Sequence, residues 1–366
     1  MAVLTIVART GSHQSPGHPP AYLANRTMPT SVERVYLLGA GSSASAGAPL
    51  IKDFKERAEE IVLRDGSRVN PLMGDAIASW NTTASAANVE EYYVLVDLLA
   101  RLNGSGQSQR AVEGVRYLIA KTLELSMVGG ISEIHKKFVH KVWDISQGRR
   151  DFAIITLNWD IAVDNAAYTH SQFSLDYGYE KARSFHGDPD RGRPKLFSVL
   201  KLHGSLNWWV CQNEECQTLW YTEGEKDVPL YWEKEETRLC RTCGSILQPL
   251  MVPPTAQKFE SSQKALSPMR SIWKETREAM VNCRDLAIIG YSFPPTDVQF
   301  RFFLLEALSN NHNLRKILVI SSPKIGSRRL EFEDSYDTAF VQSPHRQKLD
   351  FAYDGFEAWV ESGMPF

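Results

Sequence analysis

The chain has 366 residues, a length that suits one large domain with insertions or two domains. Its hydrophobic residues (43%) and charged residues (23%) occur in the proportions of ordinary soluble globular proteins. The formal net charge of -2 gives no overall basic field, so direct nucleic-acid binding is not indicated. No apolar run reaches the ~18 residues needed to span a bilayer, so a membrane partner is not expected.

Residues 1–30 are rich in proline, serine, histidine, glycine and threonine and lack hydrophobic periodicity. This composition predicts a flexible N-terminal tail. The first ten residues contain a short apolar stretch, but no charged region precedes it and no clear cleavage site follows. We therefore expect no signal peptide and a cytoplasmic location.

The predicted elements begin with an apolar run at residues 35–38, which stops at Gly39 and predicts a buried strand entering a glycine loop. Residues 50–150 are predicted to be all-helical, with helical periods at 89–99, 109–126 and 134–145. Within them Asn88 and Glu91 predict a capping box, and Gly104 predicts the end of that helix. Apolar runs at residues 152–155, 199–202, 286–289 and 317–320 predict further strands, and residues 354–361 predict a last helix.

Four of the five cysteines form two close pairs, Cys211-x4-Cys216 and Cys240-x2-Cys243. This spacing is typical of a structural zinc ribbon, in which thiolates on two tight turns supply the four ligands of a tetrahedral Zn²⁺. Because four protein ligands leave no open coordination position, we expect a structural metal. Disulfides or vestigial thiols are the alternative.

Strands separated by helical segments predict a parallel sheet covered on both faces. The predicted fold class is α/β, a Rossmann-like parallel sheet with a helical insertion and a small zinc-ribbon insertion. The predicted boundaries are a tail at 1–30, the Rossmann-like domain at 31–54, 151–206 and 251–366, the helical module at 55–150 and the zinc-ribbon module at 207–250.

Glycine-rich and polar segments follow the first two predicted strands. Residues 39–49 place glycines where a backbone can turn tightly and approach a pyrophosphate. Asn158 and Asp160 follow the strand at 152–155, at the sheet edge where parallel sheets bind ligands. The alternatives are an ordinary strand-to-helix turn for residues 39–49 and helix capping for Asn158 and Asp160.

Polar residues also close the later strands. His203 ends the run at 199–202 and can act as a general base near neutral pH, although a lone histidine more often packs or lies at the surface. Gly290, Ser292 and Ser321 follow the last two apolar runs. They can contact a ribose or a phosphate, or serve turn chemistry alone.

The order of these motifs is more specific than any one of them. The chain reads Gly-Ala-Gly-x-Ser-x3-Gly-x-Pro, Thr-x-Asn-x-Asp, Leu-His-Gly-Ser, the two cysteine pairs and a closing Gly-x-Ser. This series resembles the sirtuin family over roughly residues 33–325. The resemblance implies an enzyme that binds NAD as its substrate and carries a zinc ribbon.

The resemblance also implies roles for individual residues. The pyrophosphate lies on the first glycine loop, the nicotinamide ribose near the Thr-x-Asn-x-Asp motif, and the adenosine near the late loops. The implied cofactor-binding residues are Gly39, Ala40, Gly41, Ser43, Thr156, Gly290, Ser292 and Ser321; the implied catalytic residues are Asn158, Asp160 and the base His203; the implied zinc ligands are Cys211, Cys216, Cys240 and Cys243.

Two departures concern the part of the family that binds acylated peptides. Protein-deacylating sirtuins carry Asp-Phe-Arg directly after the glycine-loop proline, whereas Asp53-Phe54-Lys55 comes three residues late in this chain. After the zinc module, deacylases carry Phe-Gly-Glu, which pairs with the peptide as a strand. Here residues 251–255 read Met-Val-Pro-Pro-Thr, and prolines cannot donate to a ladder.

These features favour an NAD hydrolase that cleaves the nicotinamide ribosyl bond, because the NAD half of the family pattern is kept and the peptide half is altered. The pattern is similar to divergent prokaryotic sirtuin-like proteins, which implies a role in antiphage defence, a homo-oligomer and a separate sensor or ATPase subunit. The alternatives are an NAD-dependent protein deacylase and a non-catalytic NAD-binding subunit of such a complex.

Overall fold

The computed structural model describes residues 32–83, 86–169, 174–187, 195–234, 237–252, 267–294 and 297–366. The predicted tail at 1–30 and the prolines at 253 and 254 lie outside the described residues. Helices and strands alternate over residues 247–361, as the sequence predicts for an α/β protein.

The described chain contains eleven strands in two sheets. In chain order they are β1 (Arg34–Leu38), β2 (Phe152–Thr156), β3 (Ser174–Asp176), β4 (Ala182–Ser184), β5 (Lys195–Lys201), β6 (Gly204–Cys211), β7 (Leu219–Tyr221), β8 (Leu247–Met251), β9 (Asp285–Ile289), β10 (Lys316–Ile320) and β11 (Leu349–Ala352).

The larger sheet has seven strands in the order β11-β10-β9-β1-β2-β5-β3, and all neighbours pair in parallel. β1 lies in the middle, in register with β2 on one side and β9 on the other. From β1 the chain adds strands first in one direction and later in the other. The boundary between β1 and β9 is therefore a topological switch point, beside which loops diverge and leave a crevice.

The described helices are α1 (Phe54–Asp65), α2 (Pro71–Asn81), α3 (Val89–Asn103), α4 (Gly106–Ser126), α5 (Glu133–Ile145), α6 (Ala162–Tyr168), α7 (Leu230–Glu233), α8 (Ser267–Asn282), α9 (Val298–Ser309), α10 (Arg329–Ala339) and α11 (Gly355–Glu361). The long insertion between β1 and β2 holds α1 to α5, and α11 matches the predicted last helix. None of the helices in the described ranges is both long and apolar enough to cross a bilayer.

The ends of α3 show how the sequence sets helix bounds. The Asn88 side chain accepts hydrogen bonds from the backbone N–H groups of Glu90 and Glu91, and Gly104 ends the helix with a positive φ of 60°. The predicted capping box differs in one contact. The Glu91 carboxylate accepts from the N–H of Ala87 and from the Asn88 side chain.

Two hydrophobic cores hold the described part of the chain together. The first surrounds the seven-stranded sheet and includes fully buried residues such as Tyr36, Ile154 and Ile288. The apolar face of α5, including Phe138, packs into this core. The sequence predicts that this helix belongs to the helical module at 55–150. Its contact with Tyr36 instead makes it a covering layer of the sheet.

The second core joins the helical insertion to the smaller sheet, whose order is β4-β7-β6-β8. Trp80 and Tyr117 from the helices share this core with Trp209 from β6. The two insertions therefore pack as one body beside the parallel sheet. The fold class predicted from the sequence is confirmed: a parallel α/β sheet with a helical insertion and a small cysteine-bearing insertion.

Candidate active site

A cleft of ≈ 760 Å³, counting its open mouth, lies at the carboxyl ends of β1, β2, β5 and β9. Its floor comes from the loops after these strands and contains Gly39, Asn158, His203 and Gly290. One wall of the cleft comes from the helical insertion. The cleft therefore opens at the switch point of the sheet, where parallel α/β proteins bind ligands.

The glycine loops after β1 and β9 pack backbone against backbone. The Gly41 N–H donates to the Gly290 carbonyl over 2.9 Å, and Gly290 has a positive φ of 63°. A Cβ atom at Gly290 would lie 2.4 Å from the Ser42 nitrogen, and one at Gly39 would lie 2.7 Å from the Gly290 oxygen. Only glycine fits this crossing, so this part of the floor carries no side chain.

Asn158 connects the loop after β2 to the glycine loop. Its side-chain N–H group donates to the Gly39 carbonyl over 3.0 Å and to the Ser43 hydroxyl over 2.9 Å. Its own backbone N–H donates to the Thr156 hydroxyl over 3.0 Å. The amide therefore has a fixed orientation, and the contact to Thr156 explains why a hydroxyl residue stands two positions earlier.

Asp160 and His203 are both buried and both line the cleft. The Asp160 carboxylate accepts a hydrogen bond from the Ala162 N–H over 2.9 Å at the start of α6. The Trp159 ring lies 6.0 Å from the His203 ring, measured between ring centroids. Its indole N–H donates to the Val252 carbonyl over 3.3 Å. An imidazole, a carboxylate and an aromatic ring thus share one part of the cleft.

The other end of the cleft is formed by residues that follow β9. The Tyr291 hydroxyl donates to the Asp297 carboxylate over 3.1 Å. Burial raises the pKa of Tyr291 well above its ordinary value, and the Asp297 charge acts in the same direction, so the hydroxyl keeps its proton. Glu90 from α3 also lines the cleft. No lysine or arginine of the described residues does.

The structure brings most of the predicted site residues together. Gly39, Ala40, Ser43, Asn158, Asp160, His203, Gly290 and Ser292 line the cleft. Three predicted residues do not: Gly41 packs on Gly290, Thr156 supports Asn158, and Ser321 at the end of β10 donates its N–H to the Ala352 carbonyl. Their predicted ligand contacts stay predictions.

The sequence does not predict several of the residues that line the cleft. The position of Trp159 between Asn158 and Asp160 indicates that it belongs there. The position of Asp297, five residues beyond Ser292, is a weaker indication. Glu90 and Leu123 come from the helical insertion, and nothing near them in the sequence indicates a site. Only the packing of α3 and α4 against the loop after β1 brings them there.

The four paired cysteines converge in the smaller sheet. The Sγ atoms of Cys211, Cys216, Cys240 and Cys243 all lie within 4.8 Å of one another. Cys211 and Cys243 are 3.4 Å apart between sulfurs, and Cys216 and Cys240 are 3.7 Å apart. A tetrahedral Zn²⁺ with ~2.3 Å bonds requires sulfurs roughly 3.8 Å apart, so the donor set fits this ion.

All five cysteines lie in the described ranges and are free thiols. Hydrogen bonds from Ser245 lower the pKa of the Cys243 thiol to about 6, and burial raises the pKa of Cys211. The arrangement of the four thiols is compatible with a zinc site held by thiolates.

Solved structures that are similar to this chain include the following two. A structure of Sir2Tm bound to a propionylated peptide is 15% identical over 94% of this chain and 97% of that chain, with a TM-score of 0.39. A structure on the structural basis of sirtuin substrate affinity is 15% identical over 91% and 93%, with a TM-score of 0.42. No family model and no curated protein matches. At these scores the likeness assigns neither a ligand nor an activity to the chain.

Proposed function

We propose that this chain binds NAD in the cleft and hydrolyses its nicotinamide ribosyl bond to nicotinamide and ADP-ribose. The observation that carries the proposal is the meeting of Asn158, Asp160 and His203 with the glycine loop at Gly39, in one cleft at the switch point of the sheet. The order of the sequence motifs, which resembles that of sirtuins, supports the same ligand.

The lining of the cleft suits both charged parts of NAD. The glycine crossing at Gly39 and Gly290 lets a pyrophosphate approach the backbone closely. The nicotinamide ring of NAD is a cation, and the Trp159 ring and the Asp160 carboxylate suit a cation at the other side of the cleft. A ligand with both charges therefore matches the cleft better than a simple anion.

The reaction needs little acid catalysis. The C–N bond breaks with its electron pair on the nicotinamide nitrogen, so the ring leaves neutral and the ribose gains oxocarbenium character. A water oxygen then bonds to the anomeric carbon and releases one proton. In the proposal Asn158 orients the water, His203 accepts the proton, and Asp160 stabilises the developing positive charge.

The test is NAD consumption by the purified protein without acylated peptide. We expect equal amounts of nicotinamide and ADP-ribose from the wild type, and a loss of rate of about a hundredfold or more in Asn158→Ala and in His203→Ala. His312→Ala is the matched control, because His312 is exposed and precedes β10 at the opposite end of the sheet. Equal rates in His203→Ala and the control would remove His203 from the mechanism.

A second arm separates hydrolysis from deacylation. Acyl-lysine peptides are added to the same reaction, and O-acyl-ADP-ribose is measured beside ADP-ribose. For a hydrolase the peptide changes neither product nor rate. Release of nicotinamide only in the presence of peptide would identify a deacylase and contradict the proposed NAD hydrolysis.

The proposal includes a biological setting. An enzyme that consumed cytoplasmic NAD constantly would harm its host, so we infer that a sensor or ATPase subunit restrains the activity in the cell and releases it, with depletion of NAD, during phage infection. We also propose that the chain self-associates. The test is a plaque assay in cells that express the wild type or Asn158→Ala, with NAD measured after infection. Equal plaque counts and equal NAD levels in the two strains would argue against the defence role.

A further inference from the structure

A fully buried lysine lies behind the candidate active site. Lys201 ends β5 two residues before His203, and its side chain is 0% exposed. Its ammonium group donates to the Asp164 carboxylate over 2.9 Å. It also donates to the backbone carbonyl of Asp160, a residue that lines the cleft.

The second oxygen of the Asp164 carboxylate also has a hydrogen-bond partner. It accepts a hydrogen bond from the Tyr177 hydroxyl over 2.7 Å, and that hydroxyl lies 2.8 Å from the hydroxyl of Tyr168. Burial raises the pKa of Tyr177 well above its ordinary value, so this hydroxyl stays a donor at neutral pH. Lys201, Asp164 and the two tyrosines therefore form a closed network with its charges compensated.

An ion pair of this kind is a poor means of stabilising a core. Apolar side chains of similar volume often stabilise a core as well or better, because they avoid the desolvation of two charges. What apolar side chains do not supply is a donor for the Asp160 carbonyl. The feature particular to Lys201 is thus its hydrogen bond to the loop after β2.

That hydrogen bond joins two loops of the candidate site. One loop carries Asn158 and Asp160 and follows β2. The other carries His203 and follows β5. Asp160 is held at two points: its carboxylate by the Ala162 N–H and its carbonyl by Lys201. Backbone hydrogen bonds from the Leu206 N–H to the Trp159 carbonyl and from the Leu202 N–H to the Thr156 carbonyl also join the two segments, but Lys201 makes the side-chain contact to Asp160 itself.

We propose that Lys201 is a positioning residue, whose ammonium group, held by Asp164, fixes the Asp160 carbonyl and so sets the loop of Asn158 and Asp160 against His203. The catalytic part of this proposal rests on the proposed NAD hydrolysis. The structural part, the clamping of the loop by Lys201, does not.

The decisive variant replaces the pair and keeps the core filled. Lys201→Met alone leaves the Asp164 carboxylate buried without its cation and is expected to destabilise the fold. Lys201→Met with Asp164→Leu removes both charges and keeps apolar volume. Lys121→Met is the matched control, because Lys121 is a nearly buried lysine of α4 that pairs with Glu124 and Glu233 away from the cleft floor.

The first readout is native-state hydrogen exchange without any ligand. In the double variant we expect the amides of Asn158 and Ala162 to exchange about tenfold faster or more, while the amides of β9 keep their wild-type rates. Wild-type exchange at both loop amides, or acceleration no greater than in Lys121→Met, overturns the proposal. This arm decides the clamping even if the protein proves not to cleave NAD.

The second readout applies where the wild type hydrolyses NAD. Displacement of the loop by a fraction of an ångström is expected to lower kcat about tenfold or more in the double variant, with KM close to the wild-type value. A purely structural role of Lys201 predicts unchanged kcat in the folded double variant. An unchanged kcat beside accelerated loop exchange would refute the catalytic part alone.

Discussion

Gly290 contributes to stability through its backbone. A Cβ atom there would meet the Ser42 nitrogen at 2.4 Å, and its φ of 63° disfavours other residues. We expect Gly290→Ala to lower the free energy of unfolding by roughly 1–3 kcal/mol, measured by urea denaturation. Gly74→Ala in α2 is the control, because a Cβ there meets nothing within 4 Å.

For that control we expect a gain of about 0.5–1 kcal/mol, since alanine is the better helix former. If Gly290→Ala were as stable as Gly74→Ala, a side chain at position 290 would not strain the contact between the glycine loops after β1 and β9.

His135 in α5 predicts a pH dependence of stability. Its side chain is buried, and this burial lowers its pKa below the ordinary value of 6.5. As the pH falls through 6.5, the unfolded chain takes up a proton that the folded chain refuses, so folding loses stability in acid. Burial lowers the pKa of His345 and acts in the same direction.

The check is the melting temperature between about pH 7 and about pH 5.5. We expect a steeper fall for the wild type than for His135→Gln, and no change of slope for His312→Gln, which alters an exposed histidine. Parallel curves for the wild type and His135→Gln would contradict the assignment.

Single residues of the site were predictable where a loop follows a strand directly. Gly39, Asn158 and His203 were found because apolar runs end beside them, and the topology of a parallel sheet gathers strand ends. Lys201 carried an overlooked signal, a charge inside the apolar run of β5. Glu90 carried none, because its place in the cleft depends on how α3 packs.

Among the elements, the cysteine module gives the sharpest expectation. The purified protein is expected to hold about one zinc ion per chain, and Cys211→Ser or Cys240→Ser to lose it. Cys283→Ser is the control, since Cys283 lies apart from the cluster and is buried beside Asn311. Zinc is measured by elemental analysis.

Loss of the ion is expected to reach beyond the module. Trp209 of β6 packs in the core that also holds the helical insertion, and the Tyr117 hydroxyl of α4 donates to the Glu233 carboxylate in α7. A chelator should therefore lower the melting temperature of the whole helical insertion. Wild-type protein without zinc after growth in zinc-containing medium would refute the metal assignment.

The elements themselves were predicted in kind because local patterns determine them. Apolar runs predict five of the seven described strands of the parallel sheet, while the edge strands β3 and β11 have no such run. Asn88 and Gly104 set the bounds of α3. The sequence did not allow us to predict which elements pack against each other. Periodicity shows that α5 has an apolar face, but whether that face covers the sheet or the helical insertion depends on contacts far apart in sequence.

At the scale of the molecule, the charge around the cleft leads to a prediction about which dinucleotide the proposed NAD hydrolase prefers. Glu90, Asp160 and Asp297 line the cleft, and no lysine or arginine of the described residues does. A 2′-phosphate usually requires an arginine nearby. We expect kcat/KM for NAD to exceed that for NADP by about tenfold or more.

The comparison uses the same product assay with both dinucleotides. Asp297→Asn removes one of the carboxylates and is expected to narrow the preference, while His312→Ala leaves it unchanged. Equal use of NAD and NADP by the wild type would show that Glu90 and Asp297 do not face the adenosine ribose.

The central place of β1 has a consequence for how the protein is made. Arg34 near the start of the described chain pairs with Phe152 and also with Asp285. On the ribosome, β1 has one free edge until residues 285–289 have emerged, and two until β2 has. Such an edge invites pairing with other nascent chains. During synthesis, the strand on which the candidate site is built therefore keeps an unpaired edge for a long interval. Binding of a chaperone to this edge is expected to prevent aggregation of the nascent chain.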